Sequence, residues 1–182
     1  MKLIIASFAI VLFAQQQKGA NSDSKYEEKM GISVAKPPKN DEWDFKDKGF
    51  FTNTKLAVVH KVDELGFDIM YQAAPTNGGT FDLKKVCEDS FNNMSGLQGV
   101  TEPKRIEMKA MKLPGNGYQA WYLEMTLKRA DKLMEFRQWS FVGRENQQLY
   151  MIALHGDEGM YKKHQKVVDF ILGSLKTWKL PK

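Results

Sequence analysis

Three histidines, one cysteine and a scatter of carboxylates are the side chains with which this 182-residue chain would do chemistry. His155 stands just ahead of Gly156-Asp157-Glu158, and His60 lies in an earlier apolar segment. Two neutral imidazoles and a carboxylate converging at about 2.0–2.2 Å hold a divalent metal and activate water. A metal-dependent hydrolase using His155, Asp157 and His60 is therefore one reading. The spacing does not favour it, because no HExxH or other short paired arrangement is present. The plainer reading has one histidine at a strand end, one inside a strand and one, His164, partly buried on a helix. On that reading no metal and no cofactor is expected.

The remaining chemistry is thinner still. Cys87 falls on the apolar stripe of its helix and reads as a buried, inert thiol, since a reactive thiolate needs an exposed, electropositive setting. Asn77-Gly-Gly-Thr80 lacks the lysine and spacing of a phosphate loop and reads as a turn and helix start. Asp157 and Glu158 are neighbours in sequence, which says little about acid–base work. These residues point away from an enzyme.

A patch of mixed polar side chains is the other candidate. Three successive strands offer Arg105, Glu107 and Lys109, then Tyr122 and Glu124, then Glu135, Arg137 and Trp139 on what alternation makes one polar face. Opposite charges across strands stabilise a sheet by a few tenths to about 1 kcal/mol per pair, so a solvated, salt-bridged face is the simple account. The functional account is that two helices leave part of a wide sheet bare. Arg105, Tyr122, Glu124, Arg137 and Trp139 would then be a partner surface, because aromatic residues and arginine anchor interfaces.

The elements that must position these residues follow from periodicity. Gly31–Ala35 and Glu42–Phe45 read as short strands, the first ended by Pro37-Pro38. Leu56–Val62 and Phe67–Tyr71 flank a turn at Asp63–Gly66 and form a hairpin. Leu83, Val86, Cys87, Ser90, Phe91 and Met94 recur at helical spacing. Ile106–Ala110, a long strand through Trp121–Lys128, Leu133–Val142 and Leu149–Leu154 come next. The last of these is continuously apolar and suits a strand covered on both faces. A second helix from about Asp157 carries Met160, His164, Val167, Val168, Ile171, Leu175 and Trp178 as its stripe. Trp121 and Trp178 read as core and Trp43 as packing at an edge. Four strands, a helix, four strands and a helix predict an α+β domain. Its centre is an antiparallel sheet of about six to eight strands flanked by two main helices.

Gly31-Ile-Ser-Val-Ala-Lys-Pro-Pro ahead of Trp43 resembles the opening of the PsbP family. The end of the chain is similar too: strand Leu149–Leu154, a polar bridge, then helix Val167–Leu175. The wider PsbP/Mog-like superfamily also holds DcrB-like periplasmic proteins and the Ran-binding Mog import factor. The likeness covers about residues 30–178. It implies an α/β/α sandwich and a non-catalytic binding or assembly role, and it carries over no active-site residue.

The compartment is read from the first residues. Met1-Lys2 precedes the apolar run Leu3–Ala14 and an abrupt polar stretch, the layout of a secretory signal peptide. Twelve apolar residues are too few to span a bilayer, which takes about 20. Residues 1–20 are therefore expected to be a signal peptide, cut near 14–20, with 21–29 as a linker and 30–182 as one domain. A single cysteine permits no internal disulfide, so packing must supply stability. The net charge of +5 is mixed along the chain rather than clustered, which excludes the basic stripe of a nucleic-acid binder. The expectation is an exported, periplasmic or secreted domain with no lasting membrane span. It would recognise an envelope protein or a small ligand through a sheet face or groove. A structural envelope component is the further alternative.

Overall fold

The computed structural model describes residues 24–27, 30–37, 42–63 and 65–180. The proposed signal peptide lies outside these residues. Among them no helix is long and apolar enough to cross a membrane.

Seven strands form one antiparallel sheet: β3 (Trp43–Lys46), β4 (Leu56–His60), β5 (Gly66–Gln72), β6 (Val100–Lys112), β7 (Gln119–Arg129), β8 (Lys132–Val142) and β9 (Leu149–Asp157). Their order is β3-β4-β5-β9-β8-β7-β6. A smaller sheet, ordered β1-β2-β10, joins Ser24–Glu27, Ile32–Ala35 and Lys176–Thr177. Residues 24–27, expected to belong to a linker, thus pair with β2 in the register Ser24↔Ala35 to Glu27↔Ile32.

Alternation divides the large sheet's side chains between two cores. Val58, Phe67, Trp139, Phe141, Tyr150, Ile152 and Leu154 face helix α2 (Met160–Ser174), which buries Val168, Ile171 and Leu172 against them. Leu123, Met125, Phe136 and Ala153 face helix α1 (Leu83–Ser95), which contributes Cys87 and Met94. The continuous apolar run of β9 has this cause: its even residues serve one core and its odd residues the other. This is an α+β sandwich with a helix on each face. Trp43, expected at an edge, sits on edge strand β3 but is almost fully buried. Trp121 is only partly buried.

The helix ends have local causes. Asp82 caps α1, its Oδ1 accepting the Lys85 N–H at 3.0 Å, so the helix starts two residues after the expected Asn77–Thr80 turn. An N-terminal turn leaves backbone donors without helical partners, and a short carboxylate satisfies one. Helix α2 begins at Gly159, which has no side chain to do this. The Glu135 carboxylate of β8 accepts the Tyr161 N–H instead.

Candidate functional site

The five residues expected to share an open face are divided between the two faces of the sheet. Pairing of β6 with β7 runs Arg105↔Met125 and then Glu107↔Glu124, so one extra residue, Ile106, is inserted. A bulge of this kind reverses the alternation. Arg105 therefore faces the α1 side, its guanidinium 5.5 Å from the centre of the Phe91 ring. Glu107 and Lys109 keep company with Glu124 and Tyr122 on the other side.

Tyr122, Glu124, Arg137 and Trp139 do come together, but beneath α2 rather than in the open. Trp139 is 2% exposed and Tyr122 6%, with their rings 5.5 Å apart. Arg137 donates to the Tyr122 hydroxyl and to Glu124 Oε1, the latter at 2.8 Å, while Tyr122 donates to Glu124 Oε2 at 2.9 Å. The guanidinium lies 3.7 Å from the centre of the Tyr161 ring of α2. Burial pushes the Tyr122 phenol well above its ordinary value, so it stays a hydrogen-bond donor even in alkaline solution. The arrangement is a buried polar network that fastens the first turn of α2 to the sheet, with Arg137 Nε left without a hydrogen-bond partner.

On the opposite face, too, part of the sheet has no helix over it. Seven strands spaced by about 4.8 Å make a sheet close to 29 Å wide, and one helix of about 10 Å diameter cannot cover it. Helix α1 rests on β6, β7 and β8. Beside it, over β5, β9 and β8, an open groove of about 350 Å³ is lined by Met70, Met151, Phe136 and Leu149, with Phe51 and Met94 as walls. Its polar lining comes from Asn53, Gln72, Ser90, Asn93 and Gln138, and Asp89 is its one charged group. Gln138 is held in place by donating to Ser140 Oγ at 2.9 Å, which Cys87 also approaches at 3.7 Å. Cys87 is fully buried, and that burial pushes its thiol up to about 11. It carries neither the exposure nor the ionisation of a nucleophile.

The histidines regroup. His155 faces the α1 side, where its ring lies 4.7 Å from Phe50 and its Nε2 is 3.7 Å from Oδ1 of the fully buried Asp68. Asp68 Oδ2 accepts the Phe51 N–H at 2.9 Å. His60 faces α2. The set of His155, Asp157 and His60 is thereby split by the sheet and does not converge on one point. His60 instead meets Asp63 from the β4–β5 turn and His164 from α2. His164 Nε2 is 2.6 Å from Asp63 Oδ2, and His60 Nδ1 is 3.6 Å from it. Lys163 Nζ is 2.7 Å from the same oxygen. Its ammonium, then the hydrogen bond from His164, hold the Asp63 carboxyl down at about 2. Sequence reasoning missed this trio. The helical stripe places His164 inward, but nothing in spacing says which strand lies beneath it.

No family model matches the sequence, and no curated protein matches it. Solved structures do. The chain is similar to cyanobacterial PsbP (CyanoP) from Synechocystis sp. PCC 6803, with TM-score 0.63 and 14% identity over 88% of this chain and 96% of that one. It is similar to the Ran-binding protein Mog1p of Saccharomyces cerevisiae, with TM-score 0.57 and 8% identity over 87% and 96%. It is also similar to LpqN of Mycobacterium tuberculosis, a protein involved in cell envelope biogenesis, with TM-score 0.54 and 14% identity over 87% and 86%. At these identities the likeness establishes the architecture, a PsbP/Mog-like fold, as the strand and helix order implied.

Proposed function

We propose that this chain is an exported, non-catalytic binding module that takes a small, largely apolar ligand in the groove between α1 and strands β5, β9 and β8. The observation that carries the reading is the groove itself. Its volume of about 350 Å³ falls in the range of small-molecule sites, about 300–1,000 Å³. Its floor is apolar, with a few amides at the side. Met70, Met94 and Met151 supply unbranched, polarizable surface that adapts to a ligand's outline.

The lining also selects the head group. Asp89 is neutralised by Lys85 Nζ at 3.3 Å from its Oδ1, and Asn93, Gln138 and Ser90 offer hydrogen bonds. A neutral amide or alcohol on an alkyl chain finds donors and acceptors in these side chains, whereas no cation among the lining residues meets a carboxylate or phosphate head. No histidine or cysteine lines the groove, which favours binding over turnover. The signal-like start of the sequence favours an envelope setting, as does the involvement of LpqN, a protein of similar fold, in cell envelope biogenesis; the Ran-binding Mog1p of similar fold favours binding.

A titration followed by heteronuclear NMR tests this, with decanamide as the probe and decanoate as its charged counterpart. The expected result is saturable shifts at Met70, Met151 and Phe136, stronger for the amide than for the carboxylate, and lost in Met151→Arg. Shifts that are absent, or unchanged in Met151→Arg, would overturn the reading.

A further inference from the structure

We propose that His60, Asp63 and His164 form a binding site for a divalent transition metal of the zinc class, and that Lys163 stands in for the ion when none is bound.

The donor set comes first. Two imidazoles and one carboxylate, their ligand atoms all within 4.8 Å of one another, are the composition of three-protein-ligand zinc centres, which leave a fourth position for water or another ligand. Ligands held at about 2.0–2.1 Å in a tetrahedron stand roughly 3.3 Å apart. The observed separations of 2.6 Å from His164 and 3.6 Å from His60 to Asp63 Oδ2 bracket that value. Imidazole nitrogen favours zinc, copper or nickel over magnesium or calcium, which prefer oxygen.

The scaffold holds these groups before any ion arrives. The Trp43 ring packs edge-on against both imidazoles, at 4.8 Å from His60 and 5.7 Å from His164. The two imidazoles lie 4.7 Å apart. His60 presents Nδ1 to Asp63, and its Nε2 points toward Glu42 Oε2 at 3.9 Å. A carboxylate behind a ligating histidine is the usual device for fixing its orientation. Nδ1 now accepts the Asp63 N–H at 3.1 Å, so the ion would take over that lone pair.

Lys163 explains how the cluster is stable when empty. Its ammonium bonds the same carboxylate oxygen that an ion would take, yet its side chain is about half exposed and free to swing into solvent. Ion and ammonium therefore compete for Asp63. A site built as a plain ion pair would be weakened by losing the lysine, whereas a metal site would gain affinity.

That opposition is the test. Zn²⁺ is titrated calorimetrically into untagged protein at pH 7.5, with melting curves to confirm that each variant is folded. The expected result is one ion per chain, binding at least ten-fold weaker in Asp63→Asn and in His164→Asn, and several-fold tighter in Lys163→Gln. His155→Ala should bind as the parent does. His60 ring signals should shift on titration, which reports that ligand without a variant that disturbs the packing under Trp43. The proposal is overturned if no ion binds or if Asp63→Asn and His164→Asn bind like the parent. It is equally overturned if Lys163→Gln binds no more tightly, or if His155→Ala abolishes binding.

Discussion

The Glu135 carboxylate accepts the backbone N–H of Tyr161, so the first turn of α2 is capped by a side chain from the neighbouring sheet. Gly159 leaves that turn without a cap of its own, and a carboxylate at a helix N-terminus also opposes the positive end of the helix dipole. Removing it strands that backbone donor and takes one carboxylate partner from Arg137, 3.5 Å away. Glu135→Ala is expected to lower the unfolding free energy by about 1–3 kcal/mol, read as a fall in the urea midpoint at unchanged slope. Glu135→Gln keeps an acceptor and should lose less.

Arg137 and Trp139 are the next test of the same region. Had they formed an open surface, Arg137→Glu with Trp139→Ala would leave the melting temperature nearly unchanged. Their burial under Tyr161 predicts the reverse. Truncating a buried tryptophan costs about 3–5 kcal/mol, and the new glutamate would face Glu124 and Glu135. Circular dichroism of the double variant should show a protein unfolded or melting far below the parent.

Cys87 should be silent to alkylating reagents in the folded protein. With its thiol held up at about 11 by burial, about one molecule in a thousand carries the thiolate at pH 8. The sign follows: a raised thiol pKa favours the neutral form, so its stabilising contribution persists below the ordinary thiol range. That contribution fades as pH rises toward 11. Iodoacetamide at pH 8 is expected to modify the chain only at the rate of unfolding, and promptly in denaturant. Prompt modification of native protein would contradict the burial.

Gly49 predicts a steric lesion. A Cβ there would fall 1.9 Å from Asp68 Oδ1, and that carboxylate is fully buried with its other oxygen on the Phe51 N–H. Gly49→Ala must move the segment that carries Phe50 and Phe51. Because Phe51 is also a wall of the groove, the variant is expected to lose both thermal stability and decanamide binding. A stable variant that binds the amide as the parent does would show that the segment shifts without cost.

What the sequence made legible was periodicity, and what it hid was pairing. The apolar run of β9 and the stripe of α2 announced a strand covered twice and a helix packed once, and both are found, although the helix stops at Ser174 and Trp178, expected on its stripe as core, lies beyond it and is only partly buried. Arg137 shares its face of β8 with Glu135, as a solvated residue would, so only Tyr161, brought in from another element, reveals that it is covered. Ile106 is indistinguishable from any strand residue until its partners are counted, yet its insertion sends Arg105 to the other face. The width of the sheet argued correctly for a bare region. Where the groove opens depended on where α1 came to rest. His60 and His164 were visible singly, but their meeting over Asp63 spans about a hundred residues of chain.

The small sheet has a consequence for the order of events in synthesis. Strand β2 is flanked by β1 on one side and by β10 on the other, with Ile32 opposite both Glu27 and Thr177. Tyr150, meanwhile, donates to the Met30 carbonyl, and Trp178 bonds back to Gly31. Strand β2 thus stays matched on one side only until Lys176 and Thr177 are laid down beside it. A chain truncated before Lys176 should remain open to protease near Gly31 while the seven-strand sheet resists it.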